Sequence, residues 1–164
     1  MKRNRTEDFT ASVANAPANQ CGALCWRMNR NRVQVLLITS RDTGRWIIPK
    51  GWLMNGKTPS EAAAREAWEE AGVTGTVSPE LLGVYAYDKI RDPNDALPCI
   101  VTVFALRAAK LFDKFPERGQ RRRKWFDASK AARKVAEPEL RGLLENLNHA
   151  DGILIADNRA FQNA

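Results

Sequence analysis

The feature that most constrains this sequence is a helix whose two ends are both specified by local residues. Thr58 is a preferred N-cap residue, and Pro59 suits the first helical position. Glu61 stands three residues after Thr58, as a capping box requires. Gly72 is the usual kind of residue at a helix C-terminus. Alanines between these ends leave an apolar face, so we expect the helix to pack on a sheet.

Three glutamates stand on this helix at positions i, i+3 and i+4, namely Glu66, Glu69 and Glu70. At ~100° per residue they share an arc of ~100°, so their carboxylates face one small volume. Hard divalent cations such as Mg²⁺ bind oxygen ligands, and Mg²⁺ usually takes one or two carboxylates together with phosphate oxygens and waters. Arg65 is four residues before Glu69 and can orient that carboxylate. The alternative is an ordinary charged helix surface.

Short apolar runs on both sides of this helix predict a sheet, beginning with a hairpin of residues 21–28 and 33–39. Further strands are expected at 46–48, 73–87, 98–106 and 125–126, with 88–95 as a turn-rich connection. Residues 128–147 should form two short helices or one broken helix, because Pro138 suits a first turn. The alternation predicts an α+β protein, an α/β/α sandwich with a mixed sheet between helices.

The chain has 164 residues and 44% hydrophobic content, which predicts one globular domain. We expect an N-terminal arm at residues 1–19, the folded domain at 20–148 and a C-terminal tail at 149–164. No run of 18 apolar residues or signal-peptide core is present. The expectation is therefore a soluble cytoplasmic protein with no membrane partner. Its oligomeric state is not predicted.

The cysteine and histidine content argues against several other kinds of site. Cys21 and Cys25 on one strand would have Cα atoms ~13 Å apart, too far for a disulfide, so we expect buried reduced thiols. His149 is the single histidine and stands outside any motif. This argues against histidine-based zinc sites and Ser-His-Asp catalysis.

The segment 51–73 reads GWLMNGKTPSEAAAREAWEEAGV and resembles the Nudix box, G-x5-E-x7-R-E-U-x-E-E-x-G-U with U bulky and aliphatic. The matching positions are Gly51, Arg65, Glu66, Glu69, Glu70, Gly72 and Val73. The sequence departs from the pattern at Lys57, where the box has a glutamate, and at Ala67, where it has a larger aliphatic residue. Lys57 changes the charge and leaves the number of bound ions open.

The resemblance implies a sandwich fold over about residues 20–147 and cleavage of a diphosphate linkage by water attack on phosphorus. It implies Mg²⁺ or Mn²⁺ bound by Glu66 and Glu70, with the backbone carbonyl of Lys50 as a further ligand. Glu69, oriented by Arg65, is expected to be the proton acceptor or a shared ligand. The division of roles between Glu69 and Glu70 stays open. Glu61 is excluded from the site because its capping role explains it.

The formal charge of +7 and the pI near 9.7 favour an anionic partner. Residues 40–41, 45–49 and 122–126 resemble the diphosphoinositol polyphosphate phosphohydrolase branch. That resemblance implies phosphate contacts from Arg41, Lys89, Arg91 and Arg123. The Pro-Lys-Gly string at 49–51 is also similar to asymmetric diadenosine tetraphosphate hydrolases. The expected partner is thus a small-molecule polyphosphate of one of these two classes.

Two alternatives involve nucleic acid. An RNA 5′-pyrophosphohydrolase is less well supported, because Lys50-Gly51-Trp52 stands where a Gln-Gly-Gly-type box entry is usual. A non-catalytic module could instead hold RNA through basic residues such as those at 121–124. The intact glutamate cluster favours the enzyme over this binding module.

Overall fold

A computed structural model describes residues 17–147. Most of the predicted arm, His149 and the predicted tail lie outside these residues. The elements in chain order are β1 (Ala18–Asn29), β2 (Arg32–Thr39), β3 (Trp46–Ile47), β4 (Lys50–Trp52), α1 (Pro59–Ala71), β5 (Val73–Asp92), β6 (Asp95–Leu111), β7 (Arg123–Asp127), α2 (Ala128–Lys134) and α3 (Pro138–Asn146).

These strands form one mixed sheet with the order β3-β2-β1-β6-β5, in which β4 pairs with β1 and β7 with β2. The β1–β6 pairing is parallel and the other pairings are antiparallel. Parallel pairing with Cys99 and Ile100 places Ala18 and Asn19 in β1, earlier than the predicted domain start. The predicted mixed sheet is confirmed.

The β1–β2 hairpin is confirmed, with Asn29 opposite Arg32 at its end. The two connecting residues, Arg30 and Asn31, have φ of 49° and 63°. Positive φ at both central residues is the property of the tight turns that match the twist of antiparallel strands. Asn tolerates this conformation better than most residues, which explains part of the turn signal.

Two strand predictions were wrong. The ladder between β5 and β6 continues through Asp88 and Lys89 to Asp92, which pairs with Asp95, so most of the predicted connection at 88–95 is strand. Polar, turn-forming residues are held in the ladder there by their cross-strand partners. Residues 50–52, to which no strand was assigned, pair with residues 20–22 of β1. A strand this short carries no periodic pattern.

The core lies in two layers on opposite faces of the sheet, because alternate residues of β1 point to opposite sides. Leu24 and Trp26 pack in the layer covered by α2 and α3. Ala23 and Cys25 pack in the other layer, which is covered by the alanines of α1. The chain is therefore an α+β sandwich of three layers, as predicted. All three cysteines are free and buried, which confirms that prediction as well.

Candidate active site

Helix α1 is built as its sequence predicts. The backbone N–H of Glu61 donates to the Thr58 hydroxyl, and the Glu61 carboxylate accepts from the backbone N–H of Thr58. Gly72 ends the helix in the left-handed conformation at φ 68°. The alanine face packs under β1, so the opposite edge of the helix is free to present side chains to a cleft.

A cleft of about 320 Å³ lies beside α1. On one side it is bounded by residues 40–43 and Arg45, which connect β2 to β3, and on the other by residues 87–90 of β5. These two sides are separated by β1 and β6 in the strand order. Residues 50–52 of β4 also line the cleft, together with Glu66 and Glu70.

The Glu66 carboxylate packs directly on Gly51. A Cβ at position 51 would lie 2.3 Å from Glu66 Cδ and Oε1, closer than real contacts allow, so any larger residue there would displace the carboxylate. Glu66 and Glu70 are both buried. Burial raises the pKa of Glu66 to about 7, with further contributions from the charges of Glu70, Glu69 and Glu117. The site therefore holds carboxylate groups that favour a nearby cation.

Arg121 is the cationic side chain closest to Glu66 and Glu70, and it is only 9% exposed. Its Nη2 lies 3.4 Å from Glu70 Oε1 and 3.6 Å from Glu117 Oε1, and its Nη1 donates to the Thr39 carbonyl at 3.1 Å. The pKa of Glu70 is nevertheless raised, because burial outweighs the opposing effect of Arg121. Arg121 therefore fixes the position of Glu70 by a charged hydrogen bond.

Sequence reasoning missed Glu117 and the specific role of Arg121. Both line the cleft, and Glu117 Oε1 is a buried atom without a hydrogen-bond partner among the described residues. Glu117 lies between β6 and β7, where no local pattern marks it, and Arg121 reaches Glu70 across 51 positions in the sequence. The basic run at 121–124 was a signal for Arg121, but it did not distinguish that residue from its neighbours.

Glu69 and Arg65 form the predicted ion pair, with Arg65 Nε 2.9 Å from Glu69 Oε1. This pair is partly exposed, and Glu69 is not among the residues that line the cleft. The helix geometry explains this difference. Around the axis Glu70 is ~40° from Glu66, whereas Glu69 is ~60° from Glu66 on the other side. The expectation that all three carboxylates face one volume therefore holds for Glu66 and Glu70 only.

The four predicted phosphate contacts divide into two groups. Arg41 and Lys89 line the cleft, on its opposite sides. Arg91 does not line it and pairs with Asp95 at the tip of the β5–β6 hairpin. Arg123 also lies elsewhere, and its Nη1 donates to the Ala71 carbonyl at 2.7 Å. Because β7 directs residue 123 towards the end of α1, Arg123 caps that helix instead of facing the cleft.

Lys50 enters the site through its backbone and its side chain. Its N–H donates to Glu70 Oε2 at 3.2 Å, and its ammonium lies 4.6 Å from the centre of the Tyr87 ring. Burial lowers the pKa of the Lys50 ammonium, although Glu70 acts in the opposite direction. The sequence predicted a role for the backbone carbonyl of Lys50 only. The structure adds its side chain as a further cationic group in the cleft.

The charges in the cleft are nearly balanced. Five lining residues are cationic and six are acidic; the cations are Arg41, Arg45, Lys50, Lys89 and Arg121, and the acids are Asp42, Glu66, Glu70, Asp88, Glu117 and Glu137. The chain as a whole carries a formal charge of +7. Its cationic excess therefore lies outside the cleft.

The residues present fit a hard divalent cation. Among residues 17–147, no three histidine, cysteine, aspartate or glutamate side chains are grouped as a complete ligand set. Mg²⁺ does not require such a set, because it is usually held by one or two carboxylates with waters and substrate phosphate. Glu66 and Glu70 supply two buried carboxylates at the cleft, and Gly51 leaves space for one of them.

Comparison with known proteins identifies the family. The NUDIX domain model matches residues 18–147, which is most of the chain. This chain therefore belongs to the Nudix family, as its box predicted.

Among curated proteins, the chain is 34% identical to Nudix hydrolase 16, mitochondrial, from Arabidopsis thaliana over 115 residues, covering 68% of the chain and 63% of that protein. It is 33% identical to diphosphoinositol polyphosphate phosphohydrolase 3-alpha from Mus musculus over 109 residues, covering 65% and 62%. The match thus spans less than two thirds of either relative.

Solved structures support the fold. An Ap4A hydrolase binary complex from C. elegans superposes with a TM-score of 0.58 at 20% identity, covering 78% of this chain and 93% of that one. A Nudix hydrolase from Nitrosomonas europaea gives 0.62 at 18% identity, covering 79% and 87%. Within residues 17–147, no helix is long and apolar enough to cross a membrane. The cytoplasmic location stays a prediction.

Proposed function

We propose that this chain is a metal-dependent Nudix pyrophosphohydrolase that cleaves a diphosphate linkage in a small polyphosphate substrate. The observation that carries the proposal is the pair of buried carboxylates of Glu66 and Glu70 at the cleft, one of them packed on Gly51. A pair of buried acids destabilises a fold unless cations compensate it, and among the described residues Arg121 pairs with Glu70 while Glu66 has no ion pair, so the arrangement is more consistent with a cation site than with a structural surface.

Glu66 and Glu70 would hold Mg²⁺ or Mn²⁺, with the backbone carbonyl of Lys50 as the further ligand that the box resemblance implies. When bound, such a cation neutralises phosphate charge and lowers the pKa of a coordinated water. Arg121 keeps Glu70 in place through its 3.4 Å contact. Arg41 and the ammonium groups of Lys50 and Lys89 would bind the phosphates from different sides of the cleft.

The proton acceptor is proposed to be one of two glutamates. Glu69 is the candidate from the box, but its carboxylate is paired with Arg65 and does not line the cleft. Glu117 lines the cleft, and its buried Oε1 has no hydrogen-bond partner among the described residues, with Arg121 and Arg41 in longer ion-pair contact at 3.6 Å and 3.8 Å. The placement favours Glu117, because a general base must reach the proton that it removes.

The proposal includes two substrate classes, diphosphoinositol polyphosphates and diadenosine polyphosphates. The names of a curated relative and of a solved structure support one class each. RNA 5′-ends form a third class that the same chemistry could cleave.

The proposal is tested by incubating the protein and Mg²⁺ with diadenosine polyphosphates, diphosphoinositol polyphosphates and triphosphorylated or capped RNA. Wild type should cleave at least one of these, and Glu70→Gln should reduce that rate by about 100-fold or more. Glu80→Gln is the matched control, because Glu80 lies exposed on β5. Equal turnover by wild type and Glu70→Gln would refute the proposed site.

The two candidate bases are separated with Glu69→Gln and Glu117→Gln. If Glu117 accepts the proton, its variant should lose most of kcat with little change in KM, while Glu69→Gln retains more activity. A larger loss of kcat in Glu69→Gln than in Glu117→Gln would identify Glu69 as the proton acceptor. Circular dichroism and thermal unfolding of each variant check that the fold is intact.

A second candidate function, RNA binding without hydrolysis, is favoured by one observation: the cationic excess lies outside the cleft. Absence of cleavage across the panel, together with RNA affinity that falls steeply with salt, would support it. Binding of this kind should be unchanged in Glu70→Gln.

A further inference from the structure

Glu137 is an acidic residue of the cleft that does not come from the Nudix box. It stands directly before Pro138, the first residue of α3, and α3 packs on the face of the sheet opposite to α1. No other residue of 128–147 lines the cleft. A carboxylate therefore lines the cleft at the start of α3, in addition to the pair that α1 contributes.

The carboxylate of Glu137 has no evident role in holding the fold together. Glu137 is the N-cap residue of α3, but its side chain makes no capping hydrogen bond. Arg141 has the i, i+4 spacing of a helix ion pair, yet its guanidinium donates to the carbonyls of Ala132 and Val135. Glu137 Oε2 is a buried atom without a hydrogen-bond partner among residues 17–147. A buried acceptor without a partner costs stability, so this carboxylate is better explained by a ligand than by the fold.

The charge of Glu137 acts on the cationic group nearest to the start of β4. Burial lowers the pKa of the Lys50 ammonium, and the charges of Glu70 and Glu137 oppose that effect. A phosphate bound by Lys50 therefore lies in the field of both carboxylates. Glu70 is compensated by its ion pair with Arg121. Glu137 has no comparable contact, so its negative charge acts on the ligand directly.

An uncompensated carboxylate in a phosphate-binding cleft discriminates between ligands by repulsion. A ring with a phosphate on every carbon presents negative charge in all directions. One of its phosphates must then lie near Glu137 whenever another is held at Lys50. A linear polyphosphate is charged along one chain only, and a nucleoside at its end presents hydroxyl and amino groups. These groups donate the hydrogen bond that Glu137 Oε2 lacks.

We propose that Glu137 is a specificity-determining residue, which repels substrates phosphorylated all around a ring and accepts a hydrogen bond from a hydroxyl or amino group of a nucleoside polyphosphate. This inference rests on the proposed function, because it selects between the substrate classes of the same cleft. Lys50 contacts the phosphate next to that group. Glu137 takes no part in the cleavage step.

The test measures binding, so it does not depend on turnover. Isothermal titration calorimetry with Mg²⁺ compares inositol hexakisphosphate, which has no diphosphate linkage, with a methylene-bridged, non-hydrolysable diadenosine tetraphosphate. Glu137→Lys should strengthen binding of the first by about tenfold or more and weaken binding of the second by about threefold or more. A variant that fails to fold would weaken both, so opposite changes cannot come from unfolding.

Two further variants separate the charge of Glu137 from its hydrogen bond and from the net charge. Glu137→Gln keeps an acceptor without the charge, so it should strengthen binding of the ring by a smaller factor and bind the diadenosine compound as wild type does. Glu139→Lys is the matched control, because Glu139 is exposed on the same helix and does not line the cleft. It makes the same change in net charge and should alter both affinities slightly and equally.

The possible outcomes separate this inference from the proposed function. Stronger binding of both ligands by Glu137→Lys, or no change for either, would overturn the role of Glu137. Cleavage that requires Glu70 but has the same preference between the two substrate classes in Glu137→Lys would overturn this role and leave the proposed function standing. Opposite changes in affinity in a protein whose wild type cleaves no panel member would support the role of Glu137 and refute the proposed function.

Discussion

Replacing Gly51 by alanine is expected to disable the glutamate pair through a single methyl group. The new Cβ would lie 2.3 Å from Glu66 Cδ, whereas ordinary van der Waals contact begins at 3.4 Å, so the carboxyl group must retreat by about 1.1 Å. A displacement of about 1 Å in a reacting constellation can reduce the rate about 100-fold. Gly51 does not have positive φ, so alanine introduces no backbone strain there.

The assay is kcat/KM for the best substrate at saturating Mg²⁺, measured beside thermal unfolding. Gly51→Ala should lose about 100-fold in kcat/KM and keep its far-ultraviolet circular dichroism, because the ladder between Cys21 and Gly51 uses backbone groups only. Gly142→Ala is the control. Gly142 lies in α3, and a Cβ added there would meet no atom within 4 Å, so alanine should add about 0.5–1 kcal/mol of stability and leave kcat/KM unchanged. Wild-type activity in Gly51→Ala would refute the argument that this close approach positions Glu66.

Three further predictions concern the rest of the molecule. Arg123→Ala should lower the free energy of unfolding by about 1–3 kcal/mol and leave KM unchanged. Lys124→Ala is the control. If Arg123→Ala raises KM above that of the control without a loss of stability, Arg123 contacts phosphate after all. Thr58→Ala should cost about 1 kcal/mol in urea unfolding through loss of the N-cap, and an unchanged midpoint would contradict the capping box. Burial raises the pKa of Cys25 to about 12 and keeps its thiol neutral, so the folded protein should resist a disulfide reagent at mildly alkaline pH until urea is added; rapid reaction without urea would show that the thiol is accessible.

Local signals explain the parts of the fold that the sequence predicted. The ends of α1 depend on Thr58, Pro59 and Gly72, all within or beside the helix, and each was placed correctly. The turn signal of the β1–β2 hairpin lies in residues 29–32, of which Arg30 and Asn31 connect the two strands. The paired strands at 88–92 and 50–52 could not be predicted this way, because their hydrogen-bond partners lie on other strands.

The candidate site, too, could be predicted only where its residues are close together in the sequence. Spacing on one helix predicted that Glu66 and Glu70 act together, and both line the cleft. The same spacing could not decide on which side of the shared arc the cleft would lie, so Glu69 was included although it faces Arg65. Glu117 and Arg121 reach the site through the connection between β6 and β7, and only the tertiary structure brings them to Glu70.

The most direct test of the account is the rate of diphosphate cleavage as a function of Mg²⁺ concentration. Wild type and the Glu80→Gln control should show a saturable dependence on Mg²⁺. The double variant Glu66→Gln/Glu70→Gln should be folded and slower by at least about 100-fold at every Mg²⁺ concentration. A double variant that cleaves the substrate with the wild-type rate and the wild-type Mg²⁺ dependence would contradict the account.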